Sequence, residues 1–217
     1  LKSKNGYQMK PNNLKFLLVC LIVFLLPSCT LFFKDAKKQA SKAIYADNNQ
    51  IKSWNVSGKI AIKNNNVSNS FNLNWQQRDD VFVIKITNIL GFKVMQLNGD
   101  NSSVKLEISA DVPAKGTYQA ANFASLEIPN FALNLPFDEL KYWLLAISAP
   151  KSIAQIETNN LGQVRQISQN GYLISYKNHQ LSGKHYLPGR LNITNQYHDG
   201  ELILALKNWQ INNLKPL

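Results

Sequence analysis

Apolar and polar side chains begin to alternate near residue 51 and continue to do so, in short runs, almost to the C-terminus. Val56, Gly58, Ile60 and Ile62 share one parity, and Asn55, Ser57, Lys59 and Lys63 share the other. Phe71, Leu73 and Trp75 alternate in the same way with Asn72, Asn74 and Gln76. A period of two puts the apolar side chains on one face of a strand and leaves the other face wet. Asn64-Asn65-Asn66 between the two runs predicts a hairpin turn. Further runs predict strands at 81–86, 92–97, 104–108, 153–157, 164–167, 172–176, 190–194 and 202–209. Turn-forming stretches such as Asn98-Gly99-Asp100, Asn159-Asn160-Leu161-Gly162 and His198-Asp199-Gly200 separate them.

Successive short strands without helices between them predict an antiparallel meander. Val81-Phe82-Val83-Ile84 and Leu202-Ile203-Leu204-Ala205-Leu206 are apolar at both parities, so a second layer must cover them. That cover is expected mid-chain. Pro136 opens a segment with Asp138 and Glu139 in its first turn, and Phe137, Leu140, Leu144 and Ile147 follow at helical spacing. Residues 120–128 predict a second, weaker helix interrupted by Pro129. The expected fold is mainly β: one strongly curved sheet with one or two helices on its concave side. Whether the sheet closes into a barrel is left open by the pattern.

The first fifty residues of the chain carry a different signal. Met9 precedes Lys10 and Lys15, and an eleven-residue apolar run follows from Phe16 to Leu26. Spanning a bilayer takes roughly 20 residues, so a basic start and a short apolar run predict a secretory signal peptide beginning at Met9. Leu26-Pro27-Ser28-Cys29 resembles the bacterial lipobox, in which the Cys takes a diacylglycerol, the peptide is cut before it and the new amino group is acylated. The expected organisation is a signal peptide at 1–28, a lipidated tether at 29–50 and a β domain at 51–217. Cys20, preceded by bulky Val19, is expected to be inert. Thr30 rather than Asp follows the lipidated Cys, which by resemblance to Gram-negative sorting rules implies retention in the outer membrane.

Charge changes the picture only a little. The chain has a formal charge of +11, and losing Lys2, Lys4, Lys10 and Lys15 with the signal peptide leaves +7. A basic balance invites a nucleic-acid reading, but an exported chain meets no genome; anionic head groups or an acidic protein suit it better. No zinc spacing, Gly-rich phosphate loop or nucleophile elbow occurs, and His179, His185 and His198 are expected to be solvated loop residues. Asp79-Asp80 and Asp138-Glu139 are expected at a turn and a helix start. No enzyme, metal or cofactor is expected beyond the covalent N-acyl and S-diacylglycerol lipid on Cys29.

Several further pieces occur in a specific order. They are Trp54-x3-Gly58-Lys59-Ile60-Ala61-Ile62, Trp75-Gln76, Thr87-Asn88-Ile89-Leu90-Gly91, and Leu135-Pro136-Phe137-x2-Leu140-x2-Trp143-Leu144. Gln169-x-Gly171-Tyr172-x-Ile174-x-Tyr176, Leu187-Pro188-x-Arg190-Leu191 and Leu206-x2-Trp209 complete the set. Together they resemble the LolB family of outer-membrane lipoprotein receptors across residues 51–211. The chain departs from that pattern at Ile89, where proline is usual and whose loss predicts a less rigid loop. Ala146 stands for a common glycine and Tyr172 for a frequent Trp, read as size and aromatic swaps.

The resemblance implies an unclosed antiparallel β-barrel with helices inside and a hydrophobic cavity for acyl chains. It implies a lipid-anchored domain facing the periplasm, a LolA-like carrier as partner, acylated lipoproteins as cargo and outer-membrane lipid as destination. Leu90, flanked by Ile89 and Phe92, is then the membrane-insertion loop. Large aromatics supply apolar area, so Trp54, Trp75, Trp143, Tyr172 and Trp209 are the candidates for the cavity wall, with ordinary core packing as the competing reading. A scaffold lipoprotein without transfer activity is the alternative function.

Overall fold

The structure is a computed structural model that describes residues 48–64, 67–109, 114–126 and 136–211. Cys20, Cys29, the signal peptide, Pro129 and nearly all of the tether lie outside the described residues. Thirteen strands and one α-helix are described: β1 Ser53–Asn64, β2 Val67–Arg78, β3 Val81–Thr87, β4 Lys93–Gly99, β5 Val104–Ile108 and β6 Gly116–Ala120 come first. Helix α1, Phe137–Trp143, separates them from β7 Ala154–Thr158, β8 Val164–Gln169 and β9 Tyr172–Lys177. A small hairpin, β10 Gln180–Ser182 and β11 His185–Leu187, precedes β12 Arg190–Asn195 and β13 His198–Ile211.

Eleven strands form one antiparallel sheet in the order β6-β5-β4-β3-β2-β1-β13-β12-β9-β8-β7. Two meanders are therefore joined through one long-range pair, β1 with β13. Strands β6 and β7 are the two edges, and among the described residues they do not pair with each other. The sheet is unclosed.

Its curvature follows from what α1 touches. Six strand spacings of about 4.8 Å separate β3 from β8, about 29 Å if flat. Helix α1 has seven residues and is about 10 Å long. Yet it reaches β3 through stacked Phe82, Phe123 and Phe137, with ring centroids 5.0 and 4.7 Å apart. It reaches β8 through the Trp143 indole, 2.9 Å from Gln169. The sheet must wrap around the helix. One continuous apolar core results, running from Leu106 and Ile108 in β5 to Ile167 in β8.

Three expectations are corrected. Residues 116–120 form strand β6, and of the helix expected at 120–128 the described residues hold a single 3-10 turn, Phe123–Ser125, with 127 and 128 outside the described residues. Asn122 and Ser125 bond each other's backbone there as a capping box that starts the turn, and Leu126, in extended backbone, ends it. Pro136 caps α1 instead of opening it. Ala146 is more than a size swap: it sits at φ 56°, the left-handed residue that closes α1, with Ile147 N–H donating back to the Tyr142 carbonyl. Glycine is favoured there because a Cβ costs about 1–2 kcal/mol in that conformation.

The spacing Leu206-x2-Trp209 breaks the period of two because β13 carries a bulge. The register slips between Asn55 and Ser57 of β1, and Asn208 of β13, at φ 55°, is the extra residue. The bulge turns Trp209 back onto the face of Leu202, Leu204 and Leu206, all buried. Gly58 lies opposite Leu206 beside this bulge, and a Cβ on it would overlap the Ala205 carbonyl. Gly58→Ala should therefore cost about 2–3 kcal/mol of stability, as overpacking does; the urea midpoint measures it.

Candidate functional site

The concave face holds the chemistry that could receive hydrocarbon. Val56, Ile60, Leu73, Phe82, Ile84, Leu97, Ile174, Leu191 and Leu204 are all buried and apolar. Among the described residues the one α-helix on this face is α1, which buries Leu140 and Trp143. Seven residues make no stable helix alone, so packing and a few hydrogen bonds hold it.

Gln169 is the centre of those bonds, and its side chain is buried. Its Oε1 accepts from the Trp143 indole at 2.9 Å and from Ala149 N–H at 3.0 Å. Its Nε2 donates to the Ala149 carbonyl, the Ser152 carbonyl and Ser152 Oγ. Buried Tyr176 donates its hydroxyl to the Trp143 carbonyl at 3.0 Å. Burial pushes the Tyr176 hydroxyl well above its ordinary range, so it stays a donor. The N-terminal end of α1 is held by the Phe137 stack and by an exposed bond from Asn170 Nδ2 to Glu139 Oε1, while Lys141 in the last turn lies 3.5 Å from Asp80. That pair is partly exposed, and such pairs contribute at most about 1 kcal/mol.

Asn48, expected in the tether, is instead fully buried. Its Nδ2 donates to the Leu145 and Tyr186 carbonyls, and its Oδ1 meets His185 Nδ1 at 3.1 Å. His185 is thus a core residue of β11 and not a solvated loop histidine. His179 is half-buried, and desolvation lowers its affinity for a proton. Both histidines lie near polar residues in sequence, which is why the pattern misplaces them.

Two clefts flank α1. One, of about 600 Å³, is bordered by Asp80, Asp100, Phe123, Asp138, Glu139 and Lys141 among others. The other, of about 310 Å³, is bordered by Ile51, Trp54, Gln77, Lys141, Leu145 and Ile147 among others. Lys141 and Asp80 border both, so their ion pair is a strut between the two.

The five aromatic candidates fall into two groups. Trp54 lies 5.5 Å from Trp75 and 5.6 Å from Trp209 between ring centroids. Trp143 lies 5.4 Å from Tyr172. The four Trp are buried, Tyr172 is half-buried, and of the five Trp54 also borders the smaller cleft. In this state they fill the interior. Buried indole N–H groups find acceptors: Trp75 on Gln77, Trp209 on the Pro188 carbonyl. The Trp209 bond links the Leu187-Pro188 and Leu206-x2-Trp209 motifs across 21 residues.

Leu90 stands apart from that interior. It is 75% exposed in the loop between β3 and β4, beside Ile89 at 79% and Phe92 at 66%. Asn88 Oδ1 accepts the N–H groups of Leu90 and Phe92, both at 3.0 Å, and Gly91 N–H donates to the Asn88 carbonyl. Asn72 Nδ2 braces the same carbonyl from β2 at 2.9 Å. These bonds fix the loop where proline is missing. The turn at Asn159–Gln163 repeats the Asn-centred pattern with Leu161 as its one large apolar residue. The local geometry is thus a common Asx turn; the cluster of three large apolar side chains is what distinguishes the β3–β4 loop.

Gln169→Leu strands the Trp143 and Ala149 donors and should cost about 2–4 kcal/mol, measured by urea denaturation. Tyr176 predicts a loss at alkaline pH. Its folded-state affinity for the proton exceeds the unfolded one, so its contribution is complete below pH 10.0 and declines as pH rises above it. Tyr176→Phe should shed part of that alkaline slope, read from stability against pH.

The family profile described as Outer membrane lipoprotein LolB matches residues 52–209. An Outer-membrane lipoprotein LolB of Francisella tularensis subsp. novicida (strain U112) is 31% identical over 206 residues, covering 90% of this chain and 94% of that protein. One from Stutzerimonas stutzeri (strain A1501) is 29% identical over 157 residues, covering 72% and 73%. A solved LolA superfamily protein, NE2245 from Nitrosomonas europaea, superposes with a TM-score of 0.49 at 8% identity, covering 81% of this chain and 94% of that one. With its one-sided curved sheet, its internal helix and a profile match over nearly the whole described domain, the chain belongs to the LolB family of outer-membrane lipoproteins.

Proposed function

We propose that this protein is the outer-membrane acceptor that takes lipoproteins from a soluble periplasmic carrier of the LolA type and inserts them into the membrane. In this reading residues 1–28 direct export, and Cys29 carries the S-diacylglycerol and N-acyl chains that anchor the domain facing the periplasm. Two acyl chains give stable anchoring at about 0.8 kcal/mol per buried methylene, so triacylated cargo cannot cross water uncovered. An acceptor without a local energy source needs a downhill order of affinities: carrier, then apolar interior, then bilayer.

The observation that carries the reading is the loop tip Ile89-Leu90-Gly91-Phe92, held rigid by Asn88 and exposed to solvent in a LolB family member. Exposed clusters of large apolar side chains mark contact surfaces. The interior supports the other half of the reading. Trp54, Trp75, Trp143, Tyr172 and Trp209 border the space that acyl chains would share once α1 swings. Its N-terminal half, held by the Phe stack and the exposed Asn170–Glu139 bond, gives way before the end held by Gln169 and Tyr176. The reading assigns the chain no catalytic step.

Transfer from a loaded carrier to lipid vesicles bearing the anchored protein tests it. Leu90→Glu should leave stability within about 0.5 kcal/mol and cargo acceptance intact. It should lower insertion at least about tenfold, because losing a buried Leu alone is worth about 2 kcal/mol. Normal insertion by this variant would remove the role from the loop; failure of the wild-type protein to take cargo would remove the acceptor reading itself.

A further inference from the structure

The convex face of the sheet carries a row of cations that neither the fold nor the transfer reading uses. Lys59 of β1 lies opposite Ala205 of β13, Ala205 opposite Arg190 of β12, and Arg190 opposite Lys177 of β9. One pleat away, Lys207 of β13 lies opposite Ser57, Ser57 opposite Asn74, and Asn74 opposite Lys85 of β3. Leu191, Leu204, Ile60 and Ile84 next to these residues are buried on the concave side, so all five cations face outward. Lys59, Lys85, Lys177 and Lys207 are exposed, and none of the five makes an ion pair among the described residues. Like charges directly opposite each other, as Arg190 and Lys177 are, destabilise a sheet. The cost is sensible where an external anion offsets it.

The acids lie elsewhere, except Glu157 of β7, which faces outward in the row that runs through Gln166 to Ser175 and Asn192. Asp80, Asp100, Asp138 and Glu139 border the larger cleft beside α1. On the convex face Glu201 is engaged by Lys63 and Asn192, and Glu107 by Lys93 and Lys105. The five-cation patch keeps its field.

We propose that this convex patch is a docking surface for anionic phospholipid head groups, laying the domain on the membrane with the apolar loop at its leading edge. The inference rests on the reading of the chain as membrane-anchored. Between the cations stand Ala205, Ser57, Asn74, Ser175 and Asn192, small or amide side chains, and Ile203 in the same row as Asn192 is buried. A protein interface calls for a central aromatic or aliphatic anchor, and a nucleic-acid surface for stacking platforms; this patch offers neither. A fluid head-group layer requires only charge at the right height. The Lys59 row also runs directly into the loop. Asn72, opposite both Lys59 and Thr87, braces the Asn88 carbonyl.

The test uses the lipid-anchored full chain in vesicles of phosphatidylcholine, with or without a third of phosphatidylglycerol. Acylation of lysines by a water-soluble reagent is read residue by residue by mass spectrometry, with Lys115 and Lys151 as references. Lys59, Lys85, Lys177 and Lys207 should label at least about threefold more slowly on the anionic vesicles. The protection should vanish near 1 M salt, where the screening length is about 3 Å. The triple variant Lys59→Gln, Lys177→Gln, Lys207→Gln should lose the remaining protection at Lys85, each cation being worth about fivefold in association. Equal labelling on the two vesicle types overturns the proposal. So does protection by soluble polyglutamate with none by vesicles, which would assign the patch to an acidic protein. Insertion by Leu90→Glu is scored separately, so a failed loop with intact lysine protection is told apart from a failed patch with a working loop.

Discussion

A sheet whose concave side is apolar from β5 to β8 has to be covered, and the way this protein covers it governs the rest of its design. A second sheet or a row of helices would bury that face permanently. Here a seven-residue helix does much of the work, tied at one end by the buried amide of Gln169 and the hydroxyl of Tyr176. At the other end are stacked phenyl rings and one exposed side-chain pair, Asn170 with Glu139. The bonds are unequal by design of the sequence: amides buried away from water are costly to strand, whereas an exposed pair can part at little cost. A cover fixed at one end and loose at the other suits the transient hosting of hydrocarbon that the proposed function assigns to this face.

The same economy separates two kinds of apolar surface. Inside, indole N–H groups are capped by Gln77, Gln169 and the Pro188 carbonyl, so aromatic area is presented with its polar handles already occupied. Outside, amide and hydroxyl side chains bond across strands, Asn74 to Asn55 and Asn208 to Ser57, and keep the convex face hydrated. Against that background a turn bearing three large apolar side chains cannot be an accident of composition. Its backbone is satisfied within the turn, which leaves the side chains free to partition without unravelling the strands that carry them.

Much of this was legible in the residues. Period-two runs located most strands within a residue or two, and Phe137, Leu140, Leu144 and Ile147 marked the helix, which ends at Trp143, short of the last two. Other features were hidden for identifiable reasons. The bulge at Asn208 breaks the alternation, so parity alone misplaces Trp209. Strand β6 has mixed exposure at an edge and carries little apolar signal. Gln169, Gln77, Asn48 and His185 look like surface residues because their type is polar; only the fold reveals the carbonyls and indoles waiting for them. The loop at Leu90 was found because apolar residues at a turn violate a local rule, whereas the convex cations obey every local rule and become visible only through cross-strand register.

The single seam between the two meanders has a consequence for how the chain matures. Trp54 and Ile211 pair across more than two-thirds of the sequence, so a polypeptide emerging N-terminus first completes β1 long before its partner exists. Until β13 arrives, β1 offers an open row of peptide groups, and Trp54, Val56 and Ile60 have only half of their neighbours. Open strand edges with greasy flanks are where chains stick to one another. The nascent domain therefore needs shielding of its own until its last strand closes the gap.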